Sequence, residues 1–181
     1  KLFAEIKQDI KPVVLFKSKT IAANKVIFTD FISAIASLDE AAIDRIRQRA
    51  KDDLLSAFCY FDQQGITSNN LILELREDFA ENHLLLVDGN NISPEKQHVL
   101  NSLEEASNGI RAIFAVDMLN EGWDVLNLYD IVRLYNTRDA ANNRAGKTTM
   151  QEAQLIGRGA RYMPFKDPKN PALEADRRKK L

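Results

Sequence analysis

The stretch RAIFAVDMLNEGWD, residues 111–124, reads as a strand followed by a loop rich in turn formers. In RAIFAV (111–116) the apolar residues run on without alternating, the pattern of a strand covered on both faces, as in a parallel sheet. VVLF (13–16), LLLV (84–87) and DIVRLY (130–135) share this character. Between the first two lie stretches with helical spacing. Thr20 to Ser37 is one, and Asp39 to Gln64 is a second, with Ile43, Ile46, Ala50, Leu54 and Phe58 in its apolar stripe. Gly65 stops that second helix, and Asn69 or Asn70 caps a third that runs to Glu81. Ser93-Pro94-Glu95 opens another helix, which Asn108-Gly109 closes. The order β–α–α–α–β–α–β–β–α predicts an α/β fold, a doubly wound, mainly parallel sheet with helices on both faces. Residues 136–149 form a polar loop, and the chain is irregular after Pro164.

Composition narrows the function classes. The chain has 181 residues, 45% of them apolar and 28% charged, which suits one globular domain with a proper core. No apolar run reaches the eighteen or so residues of a membrane span, and no signal-peptide pattern opens the chain, so no membrane partner is expected. Cys59 is the lone cysteine, which rules out an internal disulfide framework and fits a reducing, cytoplasmic setting. One Cys with the distant His83 and His98 argues against a zinc site, and no metal ligands are assigned. A net charge of −1 implies that any nucleic-acid contact is narrow or shared with another domain. The charged opening KLFAEIKQDI and the closing run RRKKL read as the cut ends of a domain within a longer polypeptide.

Ligand sites in such sheets gather at the carboxyl ends of the strands. Four loops qualify: KSKT after the first strand, DGNN after the second, DMLNEGWD after the third and NTRDAANNRAGKTT after the fourth. Just beyond lies QLIGRGAR, residues 154–161. In a helix, Gln154, Arg158 and Arg161 fall at i, i+4 and i+7, with Gln151 at i−3, so two amides and two guanidiniums share one face. Ala153, Ile156 and Ala160 occupy the other, where their size lets the helix sit close to a sheet. Two fixed positive charges beside neutral donors suit a polyanion, above all a triphosphate.

Taken singly, Gly-Arg-x-x-Arg is more often a solvated helix face, Gly-x-Asp a turn, and Lys17 and Lys19 surface lysines. In their order and at strand ends they resemble superfamily 2 helicases. Residues 115–124 resemble motif V, QLIGRGAR matches the motif VI pattern Q-x-x-G-R-x-x-R, and KPVVLFKSKTIA looks like motif IV. The wording LFKSK…NEGWDV…EAQLIGRGARY looks most like the Res subunit of type III restriction–modification enzymes.

The resemblance implies a second RecA-like domain over 1–166, with 167–181 as an irregular extension. It implies that Arg158 and Arg161 are arginine fingers for ATP held by the first RecA-like domain, with Gln154 positioning water or phosphate. Gly122 would form a tight turn, and Asp124 would contact the ribose or couple to the fingers. Lys17, Ser18 and the backbone around Val116 and Asp117 would lie along the phosphates of duplex DNA. Many relatives have Thr where this chain has Val116, so only backbone contact is implied there. Mg²⁺ would be held mainly by the first domain, and a methyltransferase (modification) subunit is an implied partner.

Two lookalikes compete. ANNRAGKT (141–148) approaches a Walker A loop, but it has one glycine and does not follow directly from a strand; Thr148 or Thr149 reads better as a helix cap, with Glu152 as partner of Thr149. LLLVD (84–88) imitates a Walker B strand without the expected spacing to that loop. Trp123 reads as packed on the sheet edge, Asp44, Arg45, Arg47, Gln48 and Arg49 as a solvated face, and Arg177 to Lys180 as a terminus that touches DNA or lies disordered. The expected role is that of the C-terminal motor domain of a DNA-dependent ATPase. Its rivals are a RecA-like scaffold without catalysis and a self-contained phosphotransferase using Lys147.

Overall fold

A computed structural model describes residues 11–87, 92–105, 107–116 and 127–135. Four strands, β1 (Val13–Ser18), β2 (Leu84–Val87), β3 (Ala112–Val116) and β4 (Leu128–Arg133), form one sheet in the order β2-β3-β1-β4. Every pairing is parallel. Among the described residues five helices accompany them: α1 (Ile21–Ala36), α2 (Glu40–Arg49), α3 (Asp52–Gln63), α4 (Ser68–Asp78) and α5 (Pro94–Asn101). A 3₁₀ turn, Glu81–His83, leads into β2.

The apolar runs of β1, β2 and β3 have the two-sided burial they imply, whereas β4, last in the strand order, buries only Leu128 and departs from that expectation. Successive strand residues point to opposite faces. On one face, Leu84, Ala112 and Phe114 meet Ile27, Phe28, Phe31 and Ile32 of α1, with Phe16 between them. The Phe114 ring stacks on Phe16 at 4.8 Å and meets Phe28 and Phe31 edge-on at 5.2 and 5.3 Å. On the other, Val13, Leu15, Leu85, Val87, Ile113 and Ala115 pack with Leu100 of α5 and Leu103. The fold is α/β and RecA-like, an all-parallel sheet with helices on both faces.

Three local expectations need correction. The stretch 39–64 is two helices, broken at Ala50 and Lys51. In one straight helix Ile43 and Phe58 would stand about 22 Å apart. Here they join Ile72 of α4 in one buried cluster. Arg47, equally distant in sequence from Asp62, grips that carboxylate at 2.7 and 2.8 Å and lies 4.8 Å from the Phe58 ring centre. Asp52, at φ 50, makes the corner; a short polar side chain tolerates the left-handed region better than most. Gly65 does end α3, at φ 68, with Gly65 N–H donating to Asp62 O and Ile66 N–H to Phe61 O.

The cap of α4 is Thr67, whose hydroxyl accepts from Asn70 N–H, and Asn70 is its capping-box partner. That helix stops at Asp78, short of Glu81, and Phe79 leaves it to pack with Phe31. Helix α5 starts on Ser93 as expected but ends at Asn101. Asn108 closes it from a distance, its amide donating to Val99 O at 2.8 Å.

The corner at Asp52 sets a test by substitution. Asp52→Gly removes the side chain that disfavours φ 50, whereas Asp52→Val places a β-branched residue there. The valine variant is expected to lose about 1–2 kcal/mol relative to the glycine variant in urea unfolding. Equal midpoints would show that the corner carries no backbone strain.

Candidate functional site

The strands of a parallel sheet all end at one edge, and here that edge gathers three residues singled out in the sequence. Ser18, the last residue of β1, is the register partner of Val116, the last residue of β3. Lys17 lies opposite Ala115 on one side and Arg133 of β4 on the other. Adjacent strands run about 4.8 Å apart, so Lys17, Ser18 and Val116 form one cluster. All three are buried, at 2, 1 and 9% exposure. The Ser18 hydroxyl has no hydrogen-bond partner among the described residues. Thr20 then caps α1, its hydroxyl accepting from Ala23 N–H at 3.2 Å, and the first turn of α1 carries no acidic side chain. The partial positive charge of that helix end therefore stands beside the cluster without a carboxylate from its own turn.

One residue at this edge escaped the sequence reading. Asn24, in α1, is fully buried. Its amide donates to Phe114 O at 3.2 Å and to Val87 O at 3.4 Å, tying α1 to the ends of both β3 and β2. The available signal was an amide at the head of the stripe that continues with Ile27, Phe28 and Phe31. A polar group on a core-facing stripe must find partners.

The opposite, amino-terminal edge is crossed by bonds within the fold, although Asn127 Oδ1 and Arg111 Nε have no hydrogen-bond partner among the described residues. Asn127 donates to Leu103 O at 2.7 Å and Lys11 O at 3.3 Å, while its own carbonyl accepts from Val13 N–H. Arg111 pairs with Asp78 at 3.0 Å, and its N–H donates to His83 O. The His83 ring lies against Gly109, where a Cβ would come within 3.1 Å of it, so that glycine makes room for the imidazole.

Asp117, Gly122, Asp124, Gln154, Arg158 and Arg161 lie outside the described residues, as do Trp123, the ANNRAGKT segment with Lys147, the caps expected at Thr148 or Thr149, and the boundary after 166. Ala115 and Val116, the first two residues of the 115–124 segment resembling motif V, are the last two of β3, and the rest of that segment lies outside the described residues. Among the described residues no three His, Cys, Asp or Glu side chains gather as a metal site. No described helix is long and apolar enough to cross a membrane.

With this geometry in place, comparison with known proteins bears on the motifs. The chain is 32% identical, over 164 aligned residues, to a protein of Haemophilus influenzae named "Probable type III restriction-modification enzyme HindVIP Res subunit". The alignment covers 77% of this chain. The chain is a homologue of a type III Res subunit. It spans about a third, 32%, of that Res protein's length. The family HI_1054_N, described as an N-terminal region, matches residues 148–179, the part that holds Gln154, Arg158 and Arg161. No solved structure matches the chain.

The orphaned hydroxyl separates folding from binding. A buried hydroxyl without a partner costs about 1–3 kcal/mol, so Ser18→Ala is expected to match or exceed the parent's stability in urea unfolding. A clear loss of stability would mean that the hydroxyl already has a partner within the fold.

Proposed function

We propose that this chain is the second motor domain of a Res-like, DNA-dependent ATPase, working on duplex DNA as part of a longer protein. The observation that carries the reading is the pairing of Ser18 with Val116, which sets the motif IV-like segment beside the start of the motif V-like segment at one edge. The similarity to a Res subunit supports it, as does the spacing of Gln154, Arg158 and Arg161.

In this reading the DNA backbone meets the carboxyl edge. The Ser18 hydroxyl, Lys17 and the main chain of Val116 and Asp117 offer donors and charge to its phosphates. Arg158 and Arg161 reach a nucleotide held on the facing domain, where two guanidiniums stabilise charge on the phosphoryl group as it leaves. Gln154 orients the attacking water or the phosphate. Gly122 gives the tight turn, and Asp124 contacts the ribose or links the turn to the fingers. Carboxylates of that facing domain would hold Mg²⁺, which would supply neutralisation of phosphate charge, and no described carboxylate here is assigned to it. Closure of the two domains around ATP and their opening after hydrolysis would move the protein along DNA. A modification subunit is the partner that the relative's name suggests.

A second reading is favoured by one observation. Lys17 and Ser18 are buried, which suits a RecA-like scaffold in which they serve the fold and no nucleotide is hydrolysed. Turnover by the full-length protein separates the two. Arg158→Ala and Arg161→Ala are each expected to lower DNA-stimulated ATP hydrolysis by roughly 10³–10⁵ while ATP binding persists. Arg→Lys should restore little, because an ammonium lacks the guanidinium's planar fork. The isolated domain should show almost no hydrolysis. Turnover near the parent level in either alanine variant would dismiss the finger assignment, and a full-length protein inert with and without duplex DNA would favour the scaffold.

A further inference from the structure

We propose that Asn24 is a positioning residue that holds the two halves of the DNA-facing edge, the β1–α1 turn and the end of β3, at one fixed spacing. The inference rests on the functional reading above. It begins with what apolar packing leaves undecided. Helix α1 lies on the sheet through Ile27, Phe28, Phe31 and Ile32 against Phe16 and Phe114. Aromatic and aliphatic contacts bury area, but they are weakly directional. A helix held only by them can shift along the strands at small cost.

The Asn24 amide removes that freedom. Its two bonds reach Val87, the last residue of β2, and Phe114, two residues before β3 ends at Val116. Its own N–H closes the first turn of α1 on Thr20 O at 2.9 Å. A side chain with no exposure thus links the turn that follows Lys17 and Ser18 to the strand that delivers Val116 and Asp117. N–H···O bonds have a narrow distance and angle range, so the link fixes position where the apolar layer fixes only proximity. The same amide also holds the last residue of β2, Val87. Asn24 touches no ligand in this scheme; it acts through the residues whose spacing it sets.

The test uses the full-length protein and a duplex oligonucleotide as activator. Asn24→Leu keeps the volume and removes both donors; Asn24→Gln keeps the donors on a side chain one methylene longer. The duplex concentration for half-maximal ATPase stimulation is expected to rise by about tenfold or more in the leucine variant, while the KM for ATP stays within about twofold. The glutamine variant is expected to recover much of the DNA response. A leucine variant that responds to duplex like the parent overturns the proposal. So does a pair in which ATP KM and DNA response fall together in step with melting temperature, since that is the mark of general loosening. If the leucine variant does not fold, Asn24→Ala decides: a shifted DNA response at parental ATP KM upholds the proposal, and either a parental DNA response or parallel loss of both overturns it. A parent protein indifferent to duplex DNA overturns the functional reading itself, and this inference with it.

Discussion

Strand β3 is buried from Ala112 to Val116 on both of its faces, and the rest of the domain follows from covering it. One face calls for the phenylalanine layer of α1, the other for Leu100 and Leu103. Burying apolar surface on both sides supplies the main driving force, but it says little about how far each helix slides along the sheet. Two amides answer that. Asn24 ties α1 to the carboxyl ends of β2 and β3, and Asn127 ties the start of β4 to the segments before β1 and after α5. A buried polar group must be bonded or it costs free energy, so each amide has few acceptable positions.

The two edges of the sheet are consequently unlike. At the amino edge Asn127, Arg111, Asp78 and His83 bond to one another and to the main chain, with only Asn127 Oδ1 and Arg111 Nε among their buried side-chain atoms left without a partner among the described residues. At the carboxyl edge the Ser18 hydroxyl has no partner among the described residues, and a capped helix end stands next to it. What sets the carboxyl edge apart is a hydroxyl beside a helix N-terminus, a pairing that suits an anionic ligand. The usual placement of ligands at strand carboxyl ends has the same origin in helix ends and free loop amides.

Helices α2 to α4 are built on a different footing. Their cluster of Ile43, Phe58 and Ile72 is separate from the two layers on the sheet. Arg76 of α4 anchors this unit by donating to Ala36 O and Leu38 O at 3.0 and 2.9 Å, where α1 ends. A guanidinium with several donors in a rigid fork can satisfy two carbonyls at once. The insertion is thereby joined to the end of α1 remote from the candidate site.

The sequence by itself determined the four strands, the two-sided burial of β1, β2 and β3, the stop at Gly65 and the start at Ser93, because apolar period and capping chemistry are local properties. It also carried the motifs on which the likeness to Res subunits rests. Only the tertiary structure decided the break at Ala50–Lys51, since what splits that helix is the gain from bringing Ile43, Phe58 and Ile72 together across the chain. Only it revealed Asn24, whose partners lie 63 and 90 residues away. It likewise brought Ser18 beside Val116 and buried both. Spacing along the chain can show that a residue belongs to a strand end; which strand end lies next to it depends on sheet order, and sheet order is set by packing over the whole fold.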